Sequence, residues 1–427
     1  MKSEVKSKDV LAATALFVGV ALAAGACGGS PGASKTSSGP STSTTGAAGA
    51  QVTTTVPVAT TARPTSTTSA PTTSGATGAN NTGGGGPGGP VPSGFNPVSF
   101  TAVSDGEYWL LGSAPCSNPV CTSIVRTTDG GAHFVGIPAP AAPIDTGQSP
   151  GAPVHGAINT LRFADRNDGY AFDTNRGGSF WDTHDGGQHW AQSSSLSGLS
   201  LLSFGTGGGY AFALVGTCQN GSCSDLAVER SPVGSDSWAK LQAPLPAGAE
   251  QVATMTVQGA DLWFSMTTSA NQPNQVLVAG SGSGSHFTTY TSPCGSGLAG
   301  TIDASSPSVV WAVCPTGMMA EAERSTDGGA HWQPMATGEL ENSALLAPAS
   351  DTTAVLQPSG QGQLLRTTDG GSTWQPVTKG PSNGYWAWVG FTDASTASGL
   401  WASGGSGNQL WRSTDGGATW AGPVSIG

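Results

Sequence analysis

The stretch RSTDGGATW (412–420) decides how this chain is read, because it has near copies upstream: RTTDGGAHF (126–134), DTHDGGQHW (182–190), RSTDGGAHW (324–332) and RTTDGGSTW (366–374). An Asp, two Gly and an aromatic at fixed offsets suit either a catalytic constellation or a turn. A catalytic site is needed once, whereas a turn is needed wherever a hairpin closes. Counted from the Ser or Thr, the clear copies begin at 127, 183, 325, 367 and 413. Two degenerate copies, SPVGSDSW (231–238) and GSGSGSHF (280–287), carry Val233 and Gly282 at the Asp position and fill the long gap. The spacings become 56, 48, 49, 45, 42 and 46 residues, a repeat of seven similar units. In each octapeptide the Asp carboxylate can accept backbone N–H groups, and Gly supplies backbone angles closed to other residues.

Between the octapeptides a second pattern recurs, as in VSFTAVSDGEYWLLGS (98–113), INTLRFADRNDGYAFD (158–173) and WVGFTDASTASGLWAS (388–403). Each is a short apolar run, a Gly/Asp/Ser turn and a second run rich in aromatic and β-branched residues, which is a hairpin pattern. A third short run precedes each octapeptide and a fourth follows it. Four strands per unit in seven units predict an all-β fold, a seven-bladed β-propeller over residues 95–427. Radial closure protects edges that a flat array of so many strands would expose.

The octapeptide, clearest from Ser413 to Trp420, resembles the Asp-box, or bacterial neuraminidase repeat. The resemblance implies a hairpin turn between the third and fourth strands of each blade. It gives Asp129, Asp185, Asp327, Asp369 and Asp415 a structural role, with Trp190, Trp332, Trp374 and Trp420 packing beneath the turn beside the next blade. Among Asp-box proteins the chain is most similar to photosystem II assembly-factor-like bacterial lipoproteins. That likeness rests on the repeat over residues 95–427, the F-x-D-x-x-x-G-Y/W hairpin and the lipoprotein-like start.

That start is MKSEVKSKD followed by the apolar run VLAATALFVGVALAA and GAC. A basic opening, a short apolar core and small residues have the layout of a secretory signal. Ala24-Gly25-Ala26-Cys27 resembles a lipobox, although Ala24 departs from the usual Leu. The resemblance implies cleavage after residue 26 and a lipid on Cys27, placing the protein on the outer face of the cytoplasmic membrane. Residues 28–94 are mostly Ser, Thr, Gly, Ala and Pro, with only Lys35 and Arg63 charged. Such composition cannot offset its ordering entropy, so this segment is expected to be a disordered tether of roughly 45 Å root-mean-square reach.

Cys27 aside, six cysteines remain, and local pairing in an oxidising compartment predicts Cys116–Cys121, Cys218–Cys223 and Cys294–Cys314. With no CxxC, and with five of the six histidines inside the octapeptides and only His155 outside, neither metal nor other cofactor is expected. A net charge of −11 argues against nucleic acid.

Three function classes are compatible with such a fold. A sialidase grips a carboxylate with three Arg from separate blades, since the guanidinium fork matches a planar anion. Here Arg126, Arg230, Arg324, Arg366 and Arg412 precede octapeptides, Arg63 lies in the tether, and Arg162, Arg166 and Arg176 fall within one blade. Among the acids no catalytic pair stands out. The expected function is therefore a non-enzymatic, monomeric scaffold that binds an envelope protein, the alternative being binding or hydrolysis of a surface glycan. Candidate contacts are the basic group Arg162, Arg166 and Arg176 and the aromatic pair Tyr385 and Trp386.

Overall fold

A computed structural model describes residues 88–426, apart from 117–119, 147–153, 175–177, 220–221, 250, 253–254, 268–274, 296–299, 361, 378–383 and 404–406. The signal-like start, Cys27, the tether to residue 87 and Arg176 lie outside the described residues. The described chain is a seven-bladed β-propeller with no α-helix. Blade I runs Asn96–Ala102, Tyr108–Ala114, Cys121–Thr127 and Val135–Ile137, paired in that order and antiparallel throughout. Blades II to VII follow over residues 160–192, 200–240, 251–291, 301–334, 345–376 and 384–413. Blade VII has three strands, Gly384–Phe391, Ala397–Ser403 and Gly407–Ser413, its fourth reduced to a bridge between Arg412 and Ala421. Gly88–Gly94, which composition assigns to the tether, lies against blade I: Gly136 N donates to Gly89 O at 2.8 Å, and Val91 packs on the core.

The hydrophobic core is divided among the seven seams between neighbouring blades. Trp109, Leu111 and Ile124 of blade I meet Ile158, Leu161 and Phe163 of blade II, and each later pair of neighbours repeats the arrangement. The ring closes in the same way, with Leu400, Leu410 and Trp388 of blade VII against Phe100, Tyr108 and Leu110 of blade I. Trp388 stacks on Phe100 with centroids 5.3 Å apart. Asn408 fixes this closure, its Nδ2 donating to Pro97 O and its backbone N donating to Asn96 Oδ1, each at 2.7 Å. Closure thus relies on side chains across a seam; among the described residues no strand is shared between blades I and VII.

Within each clear octapeptide the atom shielded from water is the Ser or Thr hydroxyl. Thr127, Thr183, Ser325, Thr367 and Ser413 are all buried. Ser413 Oγ donates to Asp415 Oδ1 at 2.8 Å and accepts Gly417 N at 3.0 Å, while Asp415 Oδ1 accepts Thr419 N at 2.9 Å. The other four clear copies repeat these three bonds. Histidine at the Thr position does the work of Thr: His331 Nδ1 and Thr419 Oγ1 each lie 2.6 Å from the second carboxylate oxygen. Gly417 has φ +80°, and a Cβ there would meet Val355 Cγ1 at 2.5 Å, so glycine is required twice over. The octapeptide aromatics pack against the preceding blade, contrary to the expectation of the next one. Trp190 of blade II lies in the seam with blade I and donates to Pro138 O, and Trp332, Trp374 and Trp420 occupy the matching seams.

The sequence places the stabilising role on Asp415, but its carboxylate is exposed and the hydroxyl beneath it is buried. Ser413→Ala should therefore cost roughly 1–3 kcal/mol, the penalty for leaving the buried Gly417 amide unpaired. Asp415→Ala should cost less, because the Thr419 amide can turn to water. Urea unfolding that reversed this order would return the main role to the carboxylate. The Asp327 and Asp369 carboxyls are held down at about 2, chiefly by the His331 ring and the Thr373 hydroxyl respectively, and then by the same residues' amides. A lowered folded pKa contributes stability above the unfolded value and loses it on acidification, so the turns should weaken as pH falls from about 4 towards 2.

The arginines before the octapeptides form a further repeated contact. Each guanidinium crosses a seam to the next blade's octapeptide or first turn. Arg412 Nη1 donates to Gly130 O at 3.0 Å and Asp105 O at 3.1 Å; Arg366 Nε donates to Gly416 O at 2.7 Å. Arg324 Nη2 reaches Asp351 O and Arg230 Nη1 reaches Ser283 O, and Arg126 lies beside Gly186. In blade IV Ala279 stands at the arginine position, and Trp263 Nε1 donates instead to Gly328 O at 2.9 Å. In blade II the position holds Asp182.

Candidate binding surfaces

The strand order sorts the loops onto two faces. First-to-second turns and octapeptides share one face; second-to-third loops and inter-blade links share the other, here called the loop face. The large apolar side chains exposed among the described residues are Val120, Val154, Leu199, Met318, Met319 and Tyr385. Val120, Met318 and Met319 belong to second-to-third loops or their ends, Val154 and Leu199 to links, and Tyr385 to the start of an inner strand. All six therefore lie on the loop face. Met318 is 85% exposed and Tyr385 52%.

The same face carries the three disulfides, which pair as the sequence predicts. Cys116–Cys121 and Cys218–Cys223 close second-to-third loops of blades I and III. Cys294–Cys314 ties the link after blade IV to the second strand of blade V.

The residues singled out from sequence do not form one patch. Arg162 is on the inner strand of blade II and meets the field of Asp303, on the inner strand of blade V across the ring. Burial pulls the Arg162 pKa down and pushes the Asp303 pKa up; Thr256, the Ala304 amide and Arg162 oppose the rise. Thr256 Oγ1 donates to Asp303 Oδ1 at 2.9 Å. Arg166 lies on the octapeptide face, where Nη2 is 3.0 Å from Glu107 Oε2 while Arg126 holds Oε1 at 2.6 Å. The supposed basic patch is thus separated, one arginine inside the ring and one in an ion-paired turn. Trp386 is a correction of another kind. It is 1% exposed and packed on Trp401, Trp411 and Trp420, so only Tyr385 of that pair presents a surface.

Other acids are engaged in turns. Asp165 Oδ1 accepts Asn167 N and Asp168 N, and Asp393 Oδ1 accepts Ser395 N and Thr396 N. Among the described residues no three His, Cys, Asp or Glu side chains are placed to hold a metal ion. The pairing of buried Glu107 with two arginines, and of Asp303 with the field of Arg162, is what the sequence does not display. The ring of seam-crossing arginines was visible as a fixed Arg before most octapeptides, but its partners are backbone carbonyls that no pattern displays.

No protein-family model matches the sequence, and no curated protein matches it. Solved structures do. A catalytically inactive virginiamycin B lyase from Staphylococcus aureus, with quinupristin, is 14% identical, with 75% of this chain and 96% of that one covered and a TM-score of 0.52. YCF48 from Cyanidioschyzon merolae is 14% identical over 76% and 97% of the two chains, at a TM-score of 0.48. YCF48 bound to D1 peptide is 17% identical over 76% and 95%, at 0.49. Identities this low speak to the fold alone, and that fold is the seven-bladed β-propeller.

Proposed function

We propose that the protein is a non-catalytic binding module of the cell envelope, tethered to the outer face of the cytoplasmic membrane by a lipid on Cys27, whose loop face captures another protein. The gathering of exposed large apolar side chains on that one face carries this reading. Apolar side chains left in water at loop tips, on a rigid ring, are what a partner can cover with gain. The disulfides that restrain the same loops suit an oxidising compartment outside the cytosol.

Crosslinked pull-down of the full-length protein from its own membrane tests the reading. Met318→Glu with Tyr385→Glu should lose the captured protein, whereas Ser372→Glu on the octapeptide face should retain it. In the same fractionation Cys27→Ser should move the protein from the membrane to the soluble fraction. Equal capture by both surface variants would remove the loop face from the function. Retention by polysaccharide alone would replace protein capture with glycan recognition.

A further inference from the structure

The seam between blades II and III reverses the charge found at its counterparts. At three other seams a guanidinium lies against the first glycine of the next octapeptide: Arg324 against Gly370, Arg366 against Gly416, Arg126 against Gly186. Here the neighbour of Gly234 is the carboxylate of Asp168, and Asp182 occupies the arginine position. Asp236 completes the group from blade III, its Oδ1 accepting Ser193 Oγ and Trp238 Nε1. Asp165 lies beside Asp168 in the first turn of blade II. Among the described residues no arginine or lysine pairs with any of these four carboxylates; Arg166, in the same turn, is engaged with Glu107. The cationic partner of this group among the described residues is His184, with Nδ1 2.7 Å from Asp168 Oδ1 and Nε2 4.0 Å from Asp182 Oδ2.

A second observation points into the same place. Tyr170 stands where Trp109 and Trp311 stack beneath the arginines of blades I and V. It is wholly buried, and its hydroxyl has no hydrogen-bond partner among the described residues. It is paired with Asp182 across the ladder, and burial, then the charges of Asp168, Asp182, Asp165 and Asp236, raise its pKa. Burial and then Asp236 also push the Asp182 carboxyl up to about 6, His184 opposing. A carboxyl raised in the folded state favours folding at low pH and loses that contribution as pH rises through about 6.

We propose that this seam, on the octapeptide face, binds an arginine side chain presented by another polypeptide. The molecule itself supplies the template, since the matching seams hold a guanidinium between an aromatic ring and the next blade's turn. A planar fork can bridge carboxylates set side by side, as a compact ammonium cannot. Asp168 and the half-exposed His184 form the rim through which the side chain enters. This contact lies on the opposite face from the one proposed to capture an envelope protein and stands or falls separately from it.

The probe is the peptide acetyl-Gly-Arg-Gly-amide, with its citrulline counterpart as the isosteric neutral control, titrated into the full-length chain while the His184 ring resonances are followed by NMR. The arginine peptide should shift them saturably and the citrulline peptide should not. Asp168→Asn should weaken binding at least tenfold. Asp182→Arg should abolish it and raise the melting temperature, having given the seam its own arginine. Equal response to both peptides, no response to either, or undiminished binding in Asp168→Asn would overturn the proposal. The rim variant keeps the test decisive if Asp182→Arg fails to fold.

Discussion

Trp386→Ala is expected to destabilise the propeller by about 3–5 kcal/mol, the range for truncating a large aromatic in a packed core. The indole has neighbours on every side. Ring centroids of Trp420, Trp401 and Trp411 lie at 5.0, 5.3 and 6.5 Å, and a Cβ on Gly399 would meet its six-membered ring at 2.5 Å. Its Nε1 donates to Gly362 O at 3.0 Å, and its backbone N donates to Gln357 Oε1 at 2.9 Å, both across the seam from blade VI. Truncation would open a cavity in that seam and leave Gly362 O without its donor. Tyr385→Ala, one residue away and half in water, should change stability by only about 0.5 kcal/mol or less. Urea unfolding of the two variants separates the roles. A stable Trp386→Ala protein that had lost its partner would make Trp386 a binding residue after all.

The contrast between Tyr385 and Trp386 shows what the sequence could and could not disclose. Repetition made the blades legible: octapeptides at even spacing, with hairpin patterns between them, allow one architecture, and the structure has it. The disulfides were legible because each pair is local. The direction of a side chain within a dense aromatic run was not, since adjacent residues of a strand point to opposite sides and only strand register decides which side is buried. The same limit separated Arg162 from Arg166. Four residues apart in sequence, they fall on a strand and in the turn after it, so one enters the ring and the other meets Glu107. The octapeptide aromatics were assigned the wrong neighbour for a related reason. A hairpin motif specifies its own turn, while the sheet against which its aromatic lies depends on how the blades are inclined around the ring.

Replacing Cys294 and Cys314 together by Ala should lower stability by about 3 kcal/mol, the chain-entropy value for a loop of this size. The bond spans 20 residues, against five for each of the other two. Because loop-closure entropy grows with the logarithm of length, those two should contribute less, about 2 kcal/mol each on the same model. The position adds to the difference. Both cysteines are buried in the core of the seam between blades IV and V, beside Trp263 and Leu277, where blade IV supplies alanine at the arginine position. A seam that lacks the arginine contact of its neighbours thus has a covalent tie on its loop face and the Trp263 bond at its octapeptide end. Thermal unfolding with and without reductant checks this. Reductant should lower the midpoint of the wild-type chain and have a smaller effect on the double variant, in which only the short bridges remain to be opened. An unchanged wild-type midpoint, with peptide mapping showing all six thiols free, would mean that packing alone holds the fourth and fifth blades together.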